Sequence, residues 1–240
     1  MVVACKEAMR IVRTLDVHFP TGPSKSGSAF LAPAHGRLIT CAHVVINDQG
    51  EKATRVLVSR TNGAKYEANV VTVDQPHDLA SLETSESDEA RRAQLELPEV
   101  GEQVVFAGSP QGVTKASLFP GMVSAVGAGL LSSPGCDLIQ IGGMINNGNS
   151  GGPLLNSVGA VLGVITAKYV PLLREVDKLT RDLANIPQFP RDVVIGEIDF
   201  SAFVNLTIKS MWQLGAVLRL VQVGTGWAVP AKYLDQVGGR

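Results

Sequence analysis

Residues 146–153 read NNGNSGGP, a stretch that holds one serine, Ser150, among glycine and asparagine turn residues. Glycine occurs where the backbone takes a positive φ or approaches another group closely, so the glycines around Ser150 indicate an unusual backbone conformation. One interpretation is a plain loop tip. The other is a nucleophilic serine whose neighbouring amides point toward a developing negative charge.

The composition predicts a globular chain with no charge-driven partner. The 240 residues are 45% hydrophobic, enough to bury the core of one large β domain or two small ones. The formal net charge of −1 gives no electrostatic reason to expect nucleic acid. The sequence has no apolar stretch long enough to span a membrane, and charged residues interrupt the N-terminal apolar residues, so we predict neither a membrane partner nor a signal peptide.

The cysteines indicate a reducing compartment. Cys5, Cys41 and Cys136 are odd in number and widely spaced, which argues against a disulfide framework. Together with the missing export signal, this pattern predicts a cytoplasmic location.

Short β-like runs separated by Gly, Asn, Asp and Pro follow one another from residue 28 to about 168, and a last run covers 221–230. They form two successive β units with few intervening helices, which is typical of antiparallel barrels or sandwiches and not of a βαβ fold. Before them, Ala4, Ala8, Val12 and Leu15 recur at helical spacing and predict an N-terminal helix over residues 1–20.

A second helical region interrupts the β pattern between its last two strands. Apolar residues recur at steps of three and four, first at Leu172, Val176, Leu179, Leu183 and Ile186, and then at Phe203, Val204, Ile208, Met211 and Trp212. We predict a mainly helical insertion over residues 170–219.

The order of the histidines restricts how Ser150 could be activated. The sequence GNSGG fits the G-x-S-x-G pattern, but in α/β-hydrolases the histidine follows the serine. Here all four histidines, His18, His35, His43 and His77, precede Ser150. A serine hydroxyl needs a base to remove its proton. His43 is the favoured base because the apolar run LITCA leads directly into it, although a structural role is common for a histidine in a β protein.

The third residue of such a site is a shielded carboxylate that orients the imidazole. Asp78 opens the apolar run DLASLE, whereas Asp48 and Asp88 lie in polar stretches. An aspartate at the start of a strand is commonly only a turn residue, so the pattern alone leaves this assignment open.

Six stretches in collinear order resemble one family. They are GSAFLAPAHGRLITCAHVV, HDLASLE, VGEQVVFAGSPQG, GMVSAVG, INNGNSGGPLLNSVGAVLGVITA and GTGWAVPAKYL, covering roughly residues 26–168 and 222–234. Together they resemble the protease domain of the HtrA/Deg branch of the trypsin-like serine proteases. The resemblance implies an all-β chymotrypsin-like fold of two six-stranded antiparallel barrels in a single domain spanning 1–240. The first barrel would cover 21–95, and the second 96–169 and 220–240.

The resemblance also implies the roles of the site residues. It implies His43 as general base, Asp78 as its orienting acid, Ser150 as nucleophile, and an oxyanion hole at Gly148, Asn149 and Ser150. Thr166 resembles the residue whose hydroxyl supports the catalytic aspartate. The implied activity is that of a serine endopeptidase acting on protein or peptide substrates without a cofactor or a metal.

Specificity and activation depart from trypsin itself. The residue six before the nucleophile is Met144, where trypsin specificity would need an acid. The resemblance places Ile165, Thr166, Ala167 and Lys168 in the S1 region, which favours an apolar P1 residue and leaves an acidic one possible. Asn149 stands where zymogens carry an aspartate that pairs with a freed N-terminus, so activation by propeptide cleavage is not predicted.

The family comparison also raises the question of regulation. HtrA-like proteins usually carry a PDZ domain after the protease. No such domain follows in this sequence, so we expect either a protease without that module or a fragment of a longer protein. We expect the 170–219 insertion to serve as a lid, a homo-oligomer surface or a sensor for a protein activator. The alternative is a pair of helices that only covers apolar surface.

Three other functions are alternatives to a serine endopeptidase. A pseudoprotease would bind proteins in the same cleft without cutting them. A metal site would use Cys41, His43 and His77, although C-x-H alone is not a recognised ligand spacing. Esterase activity would be a by-product of the same three residues.

Overall fold

Antiparallel strands make up most of the regular structure in this computed structural model, which describes residues 1–32, 36–86, 92–110, 115–128, 136–168, 194–195, 198–199, 201, 204–211, 213 and 223–238. The chain divides into one unit formed by Met1–Lys168 with Val223–Arg240, and another formed by Tyr169–Gln222. All the predicted site residues lie in the first unit.

The first sheet lies in the N-terminal half of this unit. Its strands are β1 (Val12–His18), β2 (Lys25–Leu31), β3 (Arg37–Thr40), β4 (Arg55–Ser59), β5 (Lys65–Ala68), β6 (Val70–Asp74) and β7 (Leu79–Glu83). Their order in the sheet is β5-β4-β1-β2-β3-β7-β6, with antiparallel pairing throughout. In β4, Val56 and Val58 are buried and alternate with more exposed residues, which is the period of a strand with one face on the core.

This sheet differs from the predicted closed six-stranded barrel. Its two edge strands, β5 and β6, are consecutive in the chain and only Asn69 separates them. One part of the run 65–74 pairs with β4 and the other part with β7. The run 65–74 therefore connects the two edges of the sheet, which curls around its core. Because pairing is interrupted at Asn69, this run counts as two strands, and the sheet has seven strands and is not closed.

The N-terminal helix is shorter than predicted. Helix α1 (Val2–Ile11) buries Ala4, Ala8 and Ile11, as the helical spacing indicates, and it contacts the second sheet. The prediction of helix over residues 12–20 is wrong, because the chain continues directly into β1. Strand β1 pairs with β2 on one side and with β4 on the other. These two ladders outweigh the weak helical periodicity of this segment.

The second sheet is a closed barrel of six strands, as predicted. Its strands are β8 (Gln103–Gly108), β9 (Ser117–Ala128), β10 (Asp137–Ile145), β11 (Pro153–Asn156), β12 (Val161–Lys168) and β15 (Val223–Pro230), in the order β10-β15-β12-β11-β8-β9. Phe106, Ile139, Ile141 and Ile165 lie fully buried in its interior. Because the barrel is rigid, the loop between β10 and β11 that carries Ser150 is held at both ends.

The described residues of the unit Tyr169–Gln222 include both helix and strand. Residues 204–211 are helical, in agreement with the second predicted stripe. Strands β13 (Val194–Ile195) and β14 (Ile198–Asp199) pair antiparallel, which the sequence did not predict. The first predicted helical stripe, 172–186, lies outside the described residues. Among the helices that are described, none is long and apolar enough to cross a membrane.

Candidate active site

Three separate elements bring the predicted catalytic residues to one side of the first unit. His43 lies on α2 (Ala42–Val45), a single helical turn that begins two residues after β3. Asp78 ends the turn between β6 and β7, and Ser150 lies in the loop between β10 and β11. The first sheet therefore supplies the imidazole and the carboxylate, and the closed barrel supplies the hydroxyl.

Two hydrogen bonds fix His43 to Asp78. The distance from His43 Nδ1 to Asp78 Oδ2 is 2.8 Å, and the His43 backbone amide donates to Asp78 Oδ1 at 3.0 Å. The Asp78 carbonyl in turn accepts the amide of Ala42 at 3.1 Å. This double attachment orients the ring, so that Nδ1 faces the carboxylate and Nε2 remains available for another partner.

Asp78 has a strained backbone. Its φ is 54°, the left-handed region, and no other non-glycine residue in the described ranges has a positive φ. Strained residues of this kind cluster at functional sites, where surrounding contacts hold them in place. Here the contacts with Ala42 and His43 hold the carboxylate beneath the imidazole.

Electrostatics keep Asp78 ionised. Burial by itself would raise the pKa of the Asp78 carboxyl, but the hydrogen bonds and charge of His43, together with the hydrogen bond from Thr166, outweigh it and lower that pKa below its ordinary value. At neutral pH the residue is therefore an anion, which is the form that accepts the Nδ1 proton of an imidazole.

Thr166 connects the carboxylate to the serine. Its hydroxyl donates to Asp78 Oδ2, and its carbonyl accepts the Ser150 hydroxyl at 2.9 Å. Among the described residues, Ser150 Oγ has no hydrogen bond to His43. For His43 Nε2 to take its proton, the hydroxyl would first have to leave the Thr166 carbonyl.

The loop around Ser150 leaves two amides without an acceptor. The amides of Asn149, Gly151 and Gly152 donate to backbone carbonyls at 3.1, 2.7 and 2.9 Å. Within the described part of the chain, the amides of Gly148 and Ser150 have no such partner. Two unpaired amides on either side of one residue are the arrangement that binds an oxyanion. Asn149, the third predicted residue of the oxyanion hole, contributes no free amide.

The glycines of this loop are required by its backbone. Gly148 and Gly151 have φ values of 94° and 87°. A Cβ at Gly151 would lie 2.0 Å from the Ser28 carbonyl oxygen, and one at Gly152 would lie 2.0 Å from that of Ala107. Gly151 and Gly152 thus pack directly against neighbouring backbone.

Asn149 is enclosed but unpaired. It is 0% exposed, and neither Oδ1 nor Nδ2 has a hydrogen-bond partner among the described residues.

The predicted S1 residues are not all on a surface. Met144 is 60% exposed and lies where the pairing of β10 with β15 is irregular. The side chain of Ile165 is in the barrel core and not on a cleft wall, so its part in the site is its carbonyl, which accepts the Gly151 amide. For Ala167 and Lys168, the structure gives only the backbone pairing with Trp227 and Gly226.

A small cavity borders the histidine on the side of the first sheet. It has a volume of about 230 Å³ and is lined in part by Lys25, Ile46 and Gln75. A larger groove of about 460 Å³ lies beside α1 and includes none of the predicted catalytic residues. The predicted residues His43 and Asp78 therefore lie at the smaller of these two cavities.

The residues of the alternative metal site, Cys41, His43 and His77, are not brought together. His77 pairs with Asp74, at 2.6 Å between Nδ1 and Oδ2, and its ring stacks on Tyr233 at 4.3 Å. Cys41 instead lies with His43 and Asp78, with ligand atoms within 4.8 Å of one another. These atoms already bond to protein groups, since Cys41 Sγ donates to the Ile165 carbonyl at 3.2 Å and His43 bonds to Asp78.

Burial explains the state of the Cys41 thiol. Burial raises its pKa well above the ordinary value, and the nearby Asp78 charge raises it further. Cys41 is therefore a neutral packing residue behind the His43 and Asp78 pair.

Sequence reasoning missed Ser28, a buried residue of β2 that bonds to the Ser150 loop from the first sheet. A small polar residue inside the apolar run GSAFLA was the available signal.

Comparison with known proteins defines the class. The sequence matches the trypsin-like peptidase domain family over residues 27–164, and the chain belongs to this family. It is 36% identical over 156 residues to Serine protease HTRA4 of Mus musculus, covering 61% of this chain and 30% of that protein. It is 34% identical over 179 residues to a probable periplasmic serine endoprotease, DegP-like, of Rhizobium meliloti, covering 70% of this chain and 34% of that protein.

Solved structures share this fold. The HtrA-type protease AlgW with tripeptide has a TM-score of 0.66 at 24% identity, covering 96% of this chain and 60% of that chain. A protease from M. tuberculosis in its active form has a TM-score of 0.64 at 19% identity, covering 97% and 82%. The predicted trypsin-like, HtrA-like class is confirmed. The chain spans about a third of the length of the curated relatives named above.

Proposed function

We propose that this chain is a serine endopeptidase whose catalytic triad is His43, Asp78 and Ser150. The observation that carries the proposal is the doubly bonded His43 and Asp78 pair beside a serine whose loop leaves two amides unpaired. The membership of the trypsin-like peptidase family supports the same reaction.

The reaction begins with the rotation of the Ser150 hydroxyl. It leaves the Thr166 carbonyl and donates to His43 Nε2, and its oxygen then attacks the carbonyl carbon of the scissile peptide bond as His43 takes the proton. Asp78 stabilises the resulting imidazolium. The amides of Gly148 and Ser150 bind the oxyanion, and each such donor is worth roughly 10²–10³ in rate.

The second half of the reaction releases the two products. His43 returns its proton to the leaving amine, and the acyl group remains on Ser150. Water, deprotonated by the same imidazole, then attacks the acyl carbon. The bond from that carbon to Ser150 Oγ breaks, the acid product leaves, and His43 returns the proton to Ser150. General acid–base catalysis of this kind contributes about 10²–10⁴ in rate, so that histidine and oxyanion hole are both needed.

For specificity, we propose an apolar or acidic P1 residue. Met144 is exposed on β10 just before the Ser150 loop, and it carries no charge to bind a basic side chain. Lys168, at the end of β12, is the residue that would bind an acidic one.

For regulation, we propose that the 170–219 insertion is a lid, an oligomer surface or the binding site of a protein activator. Its place in the chain supports this, because it joins β12, which carries Thr166, to β15. Deletion of residues 172–217 tests it. An unchanged peptidase rate and an unchanged mass in solution would contradict a regulatory role.

For location, we keep the cytoplasm as a prediction, supported by free thiols at all three cysteines. The relative from Rhizobium meliloti is named as probably periplasmic, so cell fractionation is the deciding measurement.

Digestion of a peptide library, read by mass spectrometry, tests the proposed activity. We expect internal cuts, few of them after Lys or Arg, and none with the His43→Ala or Ser150→Ala variant. Cuts that persist in Ser150→Ala would contradict the proposal. A folded wild-type protein that binds peptides without cutting them would favour the pseudoprotease. Hydrolysis of activated esters without any cleavage of peptides would favour the esterase and contradict the proposed peptidase.

A further inference from the structure

One buried serine of the first sheet contacts the nucleophile loop of the closed barrel. Ser28 lies in β2 and is 0% exposed. It bonds to this loop twice, once through its side chain and once through its backbone. It is therefore a link from the sheet that carries His43 to the loop that carries Ser150.

The direction of the side-chain bond can be worked out from its neighbours. Ser28 Oγ accepts the backbone amide of Ser109 at 2.9 Å, so its own proton is free to be donated. That proton goes to the Gly148 carbonyl, at 2.6 Å. Both functions of the hydroxyl are thus used, and both bonds are buried.

The backbone bond holds the other side of the loop. The Ser28 amide donates to the Ser150 carbonyl at 2.8 Å. The Thr40 hydroxyl donates to the Ser28 carbonyl at 2.7 Å, a bond that includes no atom of the loop. One residue therefore holds two carbonyls, those of Gly148 and Ser150.

These two carbonyls belong to the residues whose amides lack an acceptor. Gly148 has a φ of 94°. Because it has no Cβ, it restricts the two adjoining peptide planes less than another residue would. The Gly148 carbonyl shares a peptide plane with the Asn149 amide, which is itself bonded to the Asn146 carbonyl at 3.1 Å. Fixing this plane fixes one side of the Gly148 Cα and so restricts, through φ and ψ of Gly148, the direction of its N–H. The neighbouring Asn149 side chain offers no such restraint, because it has no hydrogen-bond partner among the described residues.

We propose that Ser28 is the positioning residue of the oxyanion hole, holding the Gly148 and Ser150 amides toward the substrate carbonyl. This inference rests on the proposed function. In this proposal the Ser28 hydroxyl, in the first sheet, shapes the Ser150 loop of the second sheet.

The test compares Ser28→Ala with Thr40→Val in the full chain. Each variant removes one buried hydroxyl near Ser28, but only Ser28→Ala removes a bond to the nucleophile loop. The probe is a fluorophosphonate, whose phosphoryl oxygen has to enter the oxyanion hole as it reacts with Ser150. Two quantities are measured: the maximal labelling rate and the probe concentration that gives half of that rate.

We expect Ser28→Ala to lower the maximal labelling rate roughly 10–100-fold, the range for one lost buried hydrogen bond, with half-saturation changed less than about twofold. Thr40→Val should label within about twofold of the wild type. Ser28→Thr, which keeps a hydroxyl, should recover part of the rate. Equal rates for Ser28→Ala and Thr40→Val would overturn the proposal.

Hydrogen–deuterium exchange of the peptide covering 146–152 separates this proposal from the proposed function. We expect faster exchange of this loop in Ser28→Ala and not in Thr40→Val. If the wild type failed to label, the proposed peptidase function would fail, but exchange would still decide the positioning role. Unchanged exchange of 146–152 in Ser28→Ala would overturn it.

Discussion

Replacement of Gly151 by alanine tests how tightly the nucleophile loop is packed. Gly151 has a φ of 87°, and a Cβ there would lie 2.0 Å from the Ser28 carbonyl oxygen and 2.3 Å from Thr40 Oγ1. Gly63 offers a matched control, because it has a φ of 89° and a Cβ there would have nothing within 4 Å. The two substitutions share the backbone cost and differ in the clash.

The expected magnitudes follow from these distances. A left-handed alanine costs about 1–2 kcal/mol, so Gly63→Ala should lower the free energy of unfolding by that amount. Gly151→Ala adds the overpacking cost of about 1–3 kcal/mol, for a total near 2–5 kcal/mol. Because the backbone has to move to relieve the clash, the amides of Gly148 and Ser150 should lose their alignment.

Urea denaturation measures the free energies, and fluorophosphonate labelling measures the site. We expect Gly151→Ala to be less stable than Gly63→Ala and to label much more slowly, while Gly63→Ala labels like the wild type. Equal stability of the two variants, with normal labelling of Gly151→Ala, would refute the packing argument.

Three further substitutions probe the carboxylates and the buried amide. Asp78→Asn should lower the peptidase rate by about 10⁴, since an amide at this position no longer selects the Nδ1–H tautomer of His43; kinetics at pH 7 to 8 measure this. Glu86→Gln should lower the free energy of unfolding by about 3–5 kcal/mol, because the 2.6 Å ion pair with Arg13 is buried. Burial raises the pKa of the Glu86 carboxyl, but Arg13 and Tyr66 outweigh burial and lower that pKa below its ordinary value. A carboxylate with a lowered pKa stops stabilising the fold as the pH falls through its folded-state pKa. Urea titrations should therefore show the difference between Glu86→Gln and the wild type shrinking as the pH falls below the ordinary Glu range. Asn149→Asp should unfold at lower urea, because its carboxylate would be buried with no cation facing it among the described residues.

Two residues of the candidate site, Ser150 and His43, could be selected from the sequence because turn residues or an apolar run mark their positions. A serine between glycines, and a histidine after an apolar run, both mark places where the backbone has to take an unusual path. Asp78 was less certain from pattern alone, since turn aspartates are common. Its left-handed φ, which no sequence pattern reports, is what distinguishes it in the structure.

The errors arose where long-range pairing decides the outcome. Residues 12–18 carry a partial helical spacing, but they form a strand because β2 and β4 bond to both of their edges. The break at Asn69, which leaves the first sheet open, depends on which strands lie on either side. Neither fact can be read from local sequence.

Ser28 and Ile165 show the same limit within the site. The family resemblance placed Ile165 in the S1 region, but its side chain is buried in the barrel core. Ser28 lies 120 positions from its acceptor Gly148, so only the folded chain brings the two together.

The most direct measurement of the central claim is intact-mass analysis after exposure to a fluorophosphonate, with His43→Ala and Ser150→Ala as controls. The account predicts a single adduct on the wild type that is absent from both variants, because His43 has to take the proton of Ser150. An adduct that persists in Ser150→Ala, or a folded wild-type protein that forms none, would contradict it.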